Sequence, residues 1–433
     1  MDSTLIAALG IAGMFALILL HVQIGIAMAI AGVLGVAALI GWGPALSLLG
    51  TETVANLSST DLAVVPLFLL MGSFASAGRM STEIYSLAQA GLGHRRGGLA
   101  YATIMGCAGF GAICGSSLAT TATFGRTALP EMLRHGYKTS FSCGVIAAGG
   151  NLGSIVPPSI VMVIYAILAK QFILDVFVAS IIPIILTVMA MLATIAIVVR
   201  LRPDWAPLSA RATWLERLGA LRKAWAAGIL VFVVLGGIYG GVFTVTEGAS
   251  VGAIAALGIA LVRRRMSLAD FWKALLDAAQ STAAIYIIII GASVFAYFVT
   301  FSGLSESFVT FLQGTGLPPL AIIFMILLGY IILGSIFETI SAMLITLPFV
   351  LPLIIQLGYD PIWWGIINVA IIELGMITPP IGMNVMLLHS MTPSVPLRQI
   401  YTGVAPFILC NLLVLLVLVL VPDISLILLH WMN

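Results

Sequence analysis

GGNLGSIVPPSI, residues 149–160, puts three glycines, an asparagine and two adjacent prolines inside an otherwise apolar stretch. ELGMITPPIGMN, residues 373–384, does the same. A shift of 222 residues overlays the two. Leu129-Pro130 falls on Leu351-Pro352, Gly136-Tyr137 on Gly358-Tyr359, Leu152-Gly153 on Leu374-Gly375 and Pro157-Pro158 on Pro379-Pro380. One offset held over about thirty residues points to an internal repeat, and helix breaks at matching positions of two repeats are a mark of secondary transporters.

The surrounding composition fixes the solvent. Of 433 residues, 61% are hydrophobic and 8% charged, against the ~25% charged of soluble domains. Apolar segments of about 20 residues recur along the chain, each enough to cross ~30 Å of hydrocarbon as a helix. No run of ~10-residue alternating segments suggests a β-barrel. The fold class expected is therefore an all-α polytopic membrane protein. The four cysteines (Cys107, Cys114, Cys143, Cys410) lie in apolar segments without a CxxC pair and read as small buried hydrophobes. The histidines are scattered, so no metal centre is expected, and the net charge of +2 gives no sign of nucleic acid.

Basic residues set the topology, because short loops rich in Lys and Arg stay cytoplasmic. The polar segment Arg200, Arg202, Arg211, Arg217, Arg222 and Lys223 is placed inside first. Arg79, Arg95, Arg96, Arg134, Lys138, Arg263–Arg265 and Arg398 then fall inside as well, with Lys170 outside. The stretches 97–133 and 318–356 must each enter and leave on one face, as re-entrant hairpins. Ten spans complete the path, at 4–22, 24–41, 61–78, 139–169, 173–199, 224–241, 246–262, 282–301, 361–390 and 401–421. The spans 139–169 and 361–390 are broken, and both termini are external. An odd number of spans separates the copies, so the two repeats are inverted. Segments near 81–91 and 304–315 are polar enough to lie in the interface as arms.

The breaks carry the chemistry. Pro157 and Pro158, like Pro379 and Pro380, remove backbone donors and clash with the preceding turn. Unpaired backbone groups survive in hydrocarbon only where protein or a water-filled cavity covers them. Such carbonyls suit a hard cation such as Na⁺, and the half-helix that follows offers its N-terminus to an anion. Gly149, Gly150 and Gly153 let another element approach closely. The first hairpin tip supplies Ser116, Ser117, Thr120 and Thr121; in the second copy Glu338, Thr339 and Ser341 are set to face Gly375 and Thr378. A cation site is expected at each pairing of tip and break, with no other cofactor.

GSSLATTATFGRTALPEMLRHGY, GGNLGSIVPPSIVMVIY, FTVTEGASVGA and ELGMITPPIGMN resemble the large membrane subunit of tripartite ATP-independent periplasmic (TRAP) transporters, of the DctM-like type. The likeness covers nearly the whole chain. It implies a Na⁺-driven importer of organic acids in a bacterial inner membrane, related to the broad ion-transporter superfamily and working as an elevator. It also implies a small four-helix membrane subunit, expected as a separate chain, and a soluble periplasmic substrate-binding protein. On this resemblance scaffold spans occupy 1–78 and 224–301, and arms occupy 79–96 and 302–317. The transport repeats are 97–199 and 318–421, followed by a periplasmic tail over 422–433, and the cytoplasmic loop is 200–223. Site 1 would take Ser116, Ser117, Gly149, Asn151 and Gly153, with Thr120 beside them. Site 2 would take Glu338, Thr339, Gly375, Thr378 and Pro379, with Ser341. Asn151 stands where the family commonly has Thr, and Arg126 where it often has a small residue.

Arg126 lies eight residues from cytoplasmic Arg134, about 12 Å along a helix. An intramembrane guanidinium matches a substrate carboxylate bidentately, and snorkelling to the interface is the competing reading. Thr121 and Asn384 are offered with Arg126 as substrate contacts. Glu247 in TVTEGA reads as a turn or helix-start residue. Rival classes find less support. GFGAICG (109–115) lacks the dinucleotide spacing and context, and no P-loop is present. A channel would need no hairpins set against breaks. A stand-alone carrier that works without a binding protein is the nearest alternative.

Overall fold

The computed structural model describes residues 3–208, 212–314 and 316–432. Arg211 of the basic loop, Thr315 at the end of the second arm, and the chain ends at 1–2 and 433 lie outside the described residues. Among those described there is no strand. The first half holds α1 (Ser3–Leu19), α2 (Ile24–Ile40), α3 (Trp42–Leu57), α4 (Val64–Ala77), α5 (Met80–Leu92), α6 (Gly98–Cys114), α7 (Ser117–Arg134), α8 (Thr139–Ile155), α9 (Ile160–Leu168) and α10 (Ile173–Leu201). The second holds α11 (Trp214–Tyr239), α12 (Val245–Val262), α13 (Leu268–Phe301), α14 (Leu304–Gly314), α15 (Pro319–Ile336), α16 (Thr339–Gln356), α17 (Pro361–Gly375), α18 (Met383–Met391), α19 (Leu397–Leu420) and α20 (Asp423–Met432).

The 222-residue shift reappears as matched helices. Helices α7 and α16 begin at Ser117 and Thr339, and α8 and α17 at Thr139 and Pro361. Both expected hairpins are present, as α6–α7 and α15–α16. The first broken span bends by 42° between α8 and α9. Helix α5, the first arm, turns 65° away from α4. Among the described residues, seven helices are long and apolar enough to cross a bilayer, including both helices of the second hairpin.

Two elements depart from the sequence reading. The segment between the spans at 24–41 and 61–78 forms α3, and its counterpart is the front half of α13. The copies differ at one place. SSTDLA (58–63) interrupts the first, where the Ser59 hydroxyl accepts from Leu62 N at 3.3 Å; Ser and Asp side chains compete with the helix for its own backbone groups. The matching QSTAAI (280–285) has Ala in place of Asp61 and stays helical. Within the segment expected as the C-terminal tail, Asp423–Met432 is helix α20, packed on α10 and α17.

Packing sorts the helices into two groups. Helices α2, α3, α4, α12 and α13 pack on one another; α6, α7, α8, α10, α17 and α19 form a second body. Contacts within each group are close because small residues face each other, as membrane helices require. Gly25 meets Gly291 between α2 and α13, and Gly144 meets Gly403 between α8 and α19. Glu247 proves to be a helix start: Thr244 and Glu247 form a reciprocal capping box on α12.

Arm α5 lies between the groups, against α6 on one side and α11 on the other. Glu83 ties it to the end of α12 through a two-pronged pair with Arg263, 2.8 and 2.5 Å, and Arg263 also lies over Trp225. The side chains are 8% and 14% exposed, so the pair is largely desolvated. Removing one partner of such a pair strands the other charge, at a cost of about 3 kcal/mol. Glu83→Ala is thus expected to lower the unfolding midpoint of the detergent-solubilised protein by several degrees. An unchanged midpoint would show the pair to be ornamental.

Candidate functional site

The first break is built from its own sequence. Val156 N reaches Leu152 O at 2.9 Å, closing the last turn of α8. The next two carbonyls, Gly153 and Ser154, face prolines that cannot donate. Ser159 fills one vacancy: its hydroxyl donates to Ser154 O, and it also caps α9 by accepting from Met162 N. Gly153 O keeps its lone pairs. In the second copy the corresponding carbonyls are better served. Gly375 O accepts from Thr378 N at 2.9 Å and Met376 O from Asn384 N at 3.1 Å. Both Pro-Pro bonds are cis. Pro157 and Pro158 are buried, whereas Pro379 and Pro380 are exposed.

The first tip does meet its break. A side chain at Gly153 would collide with Ser116 O and Thr120 Oγ1, and one at Gly150 with Thr121 Oγ1. Ser117 N donates to Ser154 Oγ at 2.9 Å. Among the described residues the hydroxyls of Thr120, facing Gly153, and Thr121, facing Gly150, are buried without a hydrogen-bond partner, and orphaned oxygens of this sort are what a hard cation satisfies. Gly149 is not part of this cluster; it faces Cys107 and Ile104 of α6.

Asn151 turns elsewhere. Its amide donates to Glu373 O at 2.7 Å, and its oxygen accepts from Asn384 Nδ2 at 2.8 Å. Asn151 and Glu373 are themselves 222 residues apart, so the two repeats touch at equivalent positions. The Glu373 side chain is fully buried. One oxygen accepts from Thr339 Oγ1 at 2.8 Å, the other has no partner, and Ser117 and Ser154 of the first copy lie beside the carboxylate. It takes part in no ion pair among the described residues.

The rest of the second set separates. Gly375 packs on the backbone of Gly334 and Ser335 rather than on the tip. Thr378 Oγ1 returns to Leu374 O of its own helix at 2.7 Å. Ser341 is buried, Pro379 is solvent-facing, and half-buried Glu338 points into a cavity of about 340 Å³ shared with Ser116, Ser117, Ser154 and Thr339. Both hairpin tips therefore open into one space against α13. Ser154 stood inside the motif quoted first, and its pairing with the tip was missed because serine in a helix gives no directional signal.

A second cavity, about 510 Å³, lies between hairpin α6–α7 and helices α4 and α13. Arg126 lines it with Ser116, Thr123, Ser73, Ser76 and Ser281, and Asp270, Lys273 and Asp277 stand on its α13 wall. Thr121 and Asn384 do not line it; one is turned to Gly150 and the other to Asn151. The α13 charges stand ahead of the span expected at 282–301, where no sequence motif marks them.

A hairpin tip set against a helix break, with both tips opening beside a charged cavity in an apolar helical bundle, is the arrangement of a multi-pass membrane transporter subunit. The profile of the tripartite ATP-independent periplasmic transporter, DctM component, matches residues 11–424, and the chain belongs to that family. It is 35% identical over 373 residues to the C4-dicarboxylate TRAP transporter large permease protein of Pseudomonas aeruginosa, spanning 86% of this chain and 87% of that one. It is 32% identical over 370 residues to the isethionate TRAP transporter permease protein of Oleidesulfovibrio alaskensis, spanning 85% of this chain but 58% of that longer one. The fold is similar to the YdaH transporter of Alcanivorax borkumensis, with a TM-score of 0.57 at 17% identity over 87% and 88% of the two chains.

Proposed function

We propose that this chain is the large membrane subunit of a Na⁺-coupled importer that takes an organic acid from a periplasmic binding protein and moves it across the bacterial inner membrane. The observation that carries the coupling is Glu373. A carboxylate buried without a basic partner either takes up a proton or is compensated by a cation, and the hydroxyls of Thr339, Ser117 and Ser154 beside it are the hard oxygen ligands an alkali cation takes. The orphaned Thr120 and Thr121 hydroxyls with Gly153 O offer a second such place. Arg126 is the anion contact. Elevator motion of the second helix group past the first, with the arms as braces and both termini periplasmic, completes the reading. The partners are a small membrane subunit and a binding protein. The longer isethionate relative has room for the small subunit within one chain, and this chain aligns to only part of it.

The test is uptake of labelled succinate, isethionate and other small acids into proteoliposomes holding the complete transporter. Uptake that needs both the Na⁺ gradient and the binding protein is expected. Uptake by this chain alone would make it a self-sufficient carrier. Arg126→Gln loses one charge-assisted, two-pronged contact, about 2 kcal/mol or roughly 30-fold in kcat/KM. Wild-type kinetics in that variant would leave Arg126 as a snorkelling residue.

A further inference from the structure

The cavity that holds Arg126 carries its own anion. Positions 270, 273, 274, 277, 278 and 281 of α13 all line it, the spacing of one helix face. That face presents Asp270, Lys273 and Asp277 towards the hairpin. Asp270 is already engaged, accepting from Ser267 N and Oγ at 3.0 and 2.7 Å as a helix cap. Asp277 makes no such bond, and neither it nor Arg126 belongs to an ion pair among the described residues. Both are exposed to the same space.

The other copy does not repeat these charges position for position. Arg126 corresponds to Pro348 in the second copy, and Asp277 to Ala55 in the first; Asp270 and Lys273 correspond to Leu48 and Thr51. A cavity of the opposite polarity would therefore lack the guanidinium, and its carboxylate would be Glu52, the counterpart of Ala274. The charged wall stands just after Arg263–Arg265, with Arg79 beside Asp270, at the end the basic residues place in the cytoplasm.

We propose that Asp277 is the resident counter-ion of Arg126, an unloading residue that takes the guanidinium back from a substrate carboxylate when the cavity faces the cytoplasm. Without substrate, two cations face two carboxylates and the cavity is neutral. A carboxylate seated on Arg126 leaves Lys273 alone against Asp270 and Asp277, so the loaded state carries excess negative charge. Ejecting the acid restores neutrality, and Asp277 closes the site to rebinding. Asp277 acts through Arg126 and does not touch the substrate, so it is a positioning residue. The inference rests on the reading of Arg126 as the anion contact.

Asp277→Asn separates binding from release. A unit charge removed at this range in a wet cavity changes affinity by about ten-fold. The variant is expected to bind labelled succinate about ten-fold more tightly in the detergent-solubilised membrane complex. In the complete transporter it is expected to show a KM and a kcat that both fall several-fold. Asp277→Glu, which keeps the charge, is expected to restore wild-type values. Weaker binding, or an unchanged KM with a lowered kcat, would mean a merely structural role and overturn the proposal. Arg126→Gln run in parallel tells the two failures apart. If it cripples transport while Asp277→Asn behaves as wild type, only the counter-ion falls; if it transports normally, the anion contact falls with it.

Discussion

Gly153→Val is expected to abolish uptake, by at least 100-fold, in protein that still inserts and assembles with its partners. The collision is not with movable side chains alone. A Cβ at this position overlaps the carbonyl of Ser116 and the hydroxyl of Thr120. The carbonyl belongs to the cap of α7, where Thr120 N is bonded to it at 3.1 Å, so it cannot withdraw without unwinding the tip. Overpacking of one such contact costs about 1–3 kcal/mol. Here the tip is forced off the break, and with it go the oxygens proposed for the first cation. Gly153→Ala meets the same two atoms with fewer carbons and should fall between wild type and Val. Gly228→Ala, on an open face of α11 with nothing within 4 Å, should leave uptake unchanged. If Gly153→Val carried acid at the wild-type rate, tip and break would have to part during transport, and no cation could depend on their contact. Uptake and expression measured together decide the case.

What could be read in the sequence follows from how each residue acts. Prolines and glycines act on the backbone where they stand, so both breaks and both hairpins were legible from 149–160, 373–384 and one constant shift. Basic residues act through loops, and they ordered the spans. Helix α3 was not legible, because a helix of 16 residues with Ser, Thr and Glu along it has neither the length of a span nor the signals of a turn. Side-chain direction was lost for a different reason. Gly149, Gly150 and Gly153 sit within five residues of one helix yet face Cys107, Thr121 and Ser116 respectively. Which of them meets the tip depends on how α6, α7 and α8 cross. Asn151 shows the same limit at longer range. Its partner is the residue 222 positions on, and a linear reading that assigns each copy its own site divides what the fold joins.

That junction makes the two proposed cation places unequal. Thr120 in the first copy corresponds to Ala342, and Asn151 to Glu373; hydroxyls and an amide stand where the second copy brings a carboxylate. A neutral oxygen set binds a monovalent cation weakly and releases it easily. A carboxylate holds it harder and makes the loaded site neutral, which lowers the cost of carrying it through a low-dielectric bundle. Glu373 is therefore the residue on which tight coupling to an ion gradient would depend, with half-buried Glu338 nearer the open space.

Glu373→Ala is expected to lower Na⁺-driven uptake about 100-fold, the scale of roughly 3 kcal/mol lost when one partner of a buried charged pair is removed. The informative variant is Glu373→Gln. Glutamine keeps the length of the side chain and an oxygen able to accept from Thr339 Oγ1, so the link between the two helices is retained. Only the charge is lost. If Glu373 compensates a cation, Glu373→Gln falls nearly as far as Ala, and the Na⁺ concentration for half-maximal uptake rises at least ten-fold. If the carboxyl is a neutral hydrogen-bonding link between the repeats, Gln transports within about two-fold of wild type and its Na⁺ dependence is unaltered. Thr339→Val supplies the internal check. It removes the one hydroxyl bonded to the carboxylate, worth about 1.5–3 kcal/mol for a bond to a charged group, and its Na⁺ dependence should shift in the same direction as that of Gln. A Gln variant that keeps its Na⁺ response would move the coupling site to the hydroxyls of the first copy, where Thr120 and Thr121 would have to carry it without any negative charge.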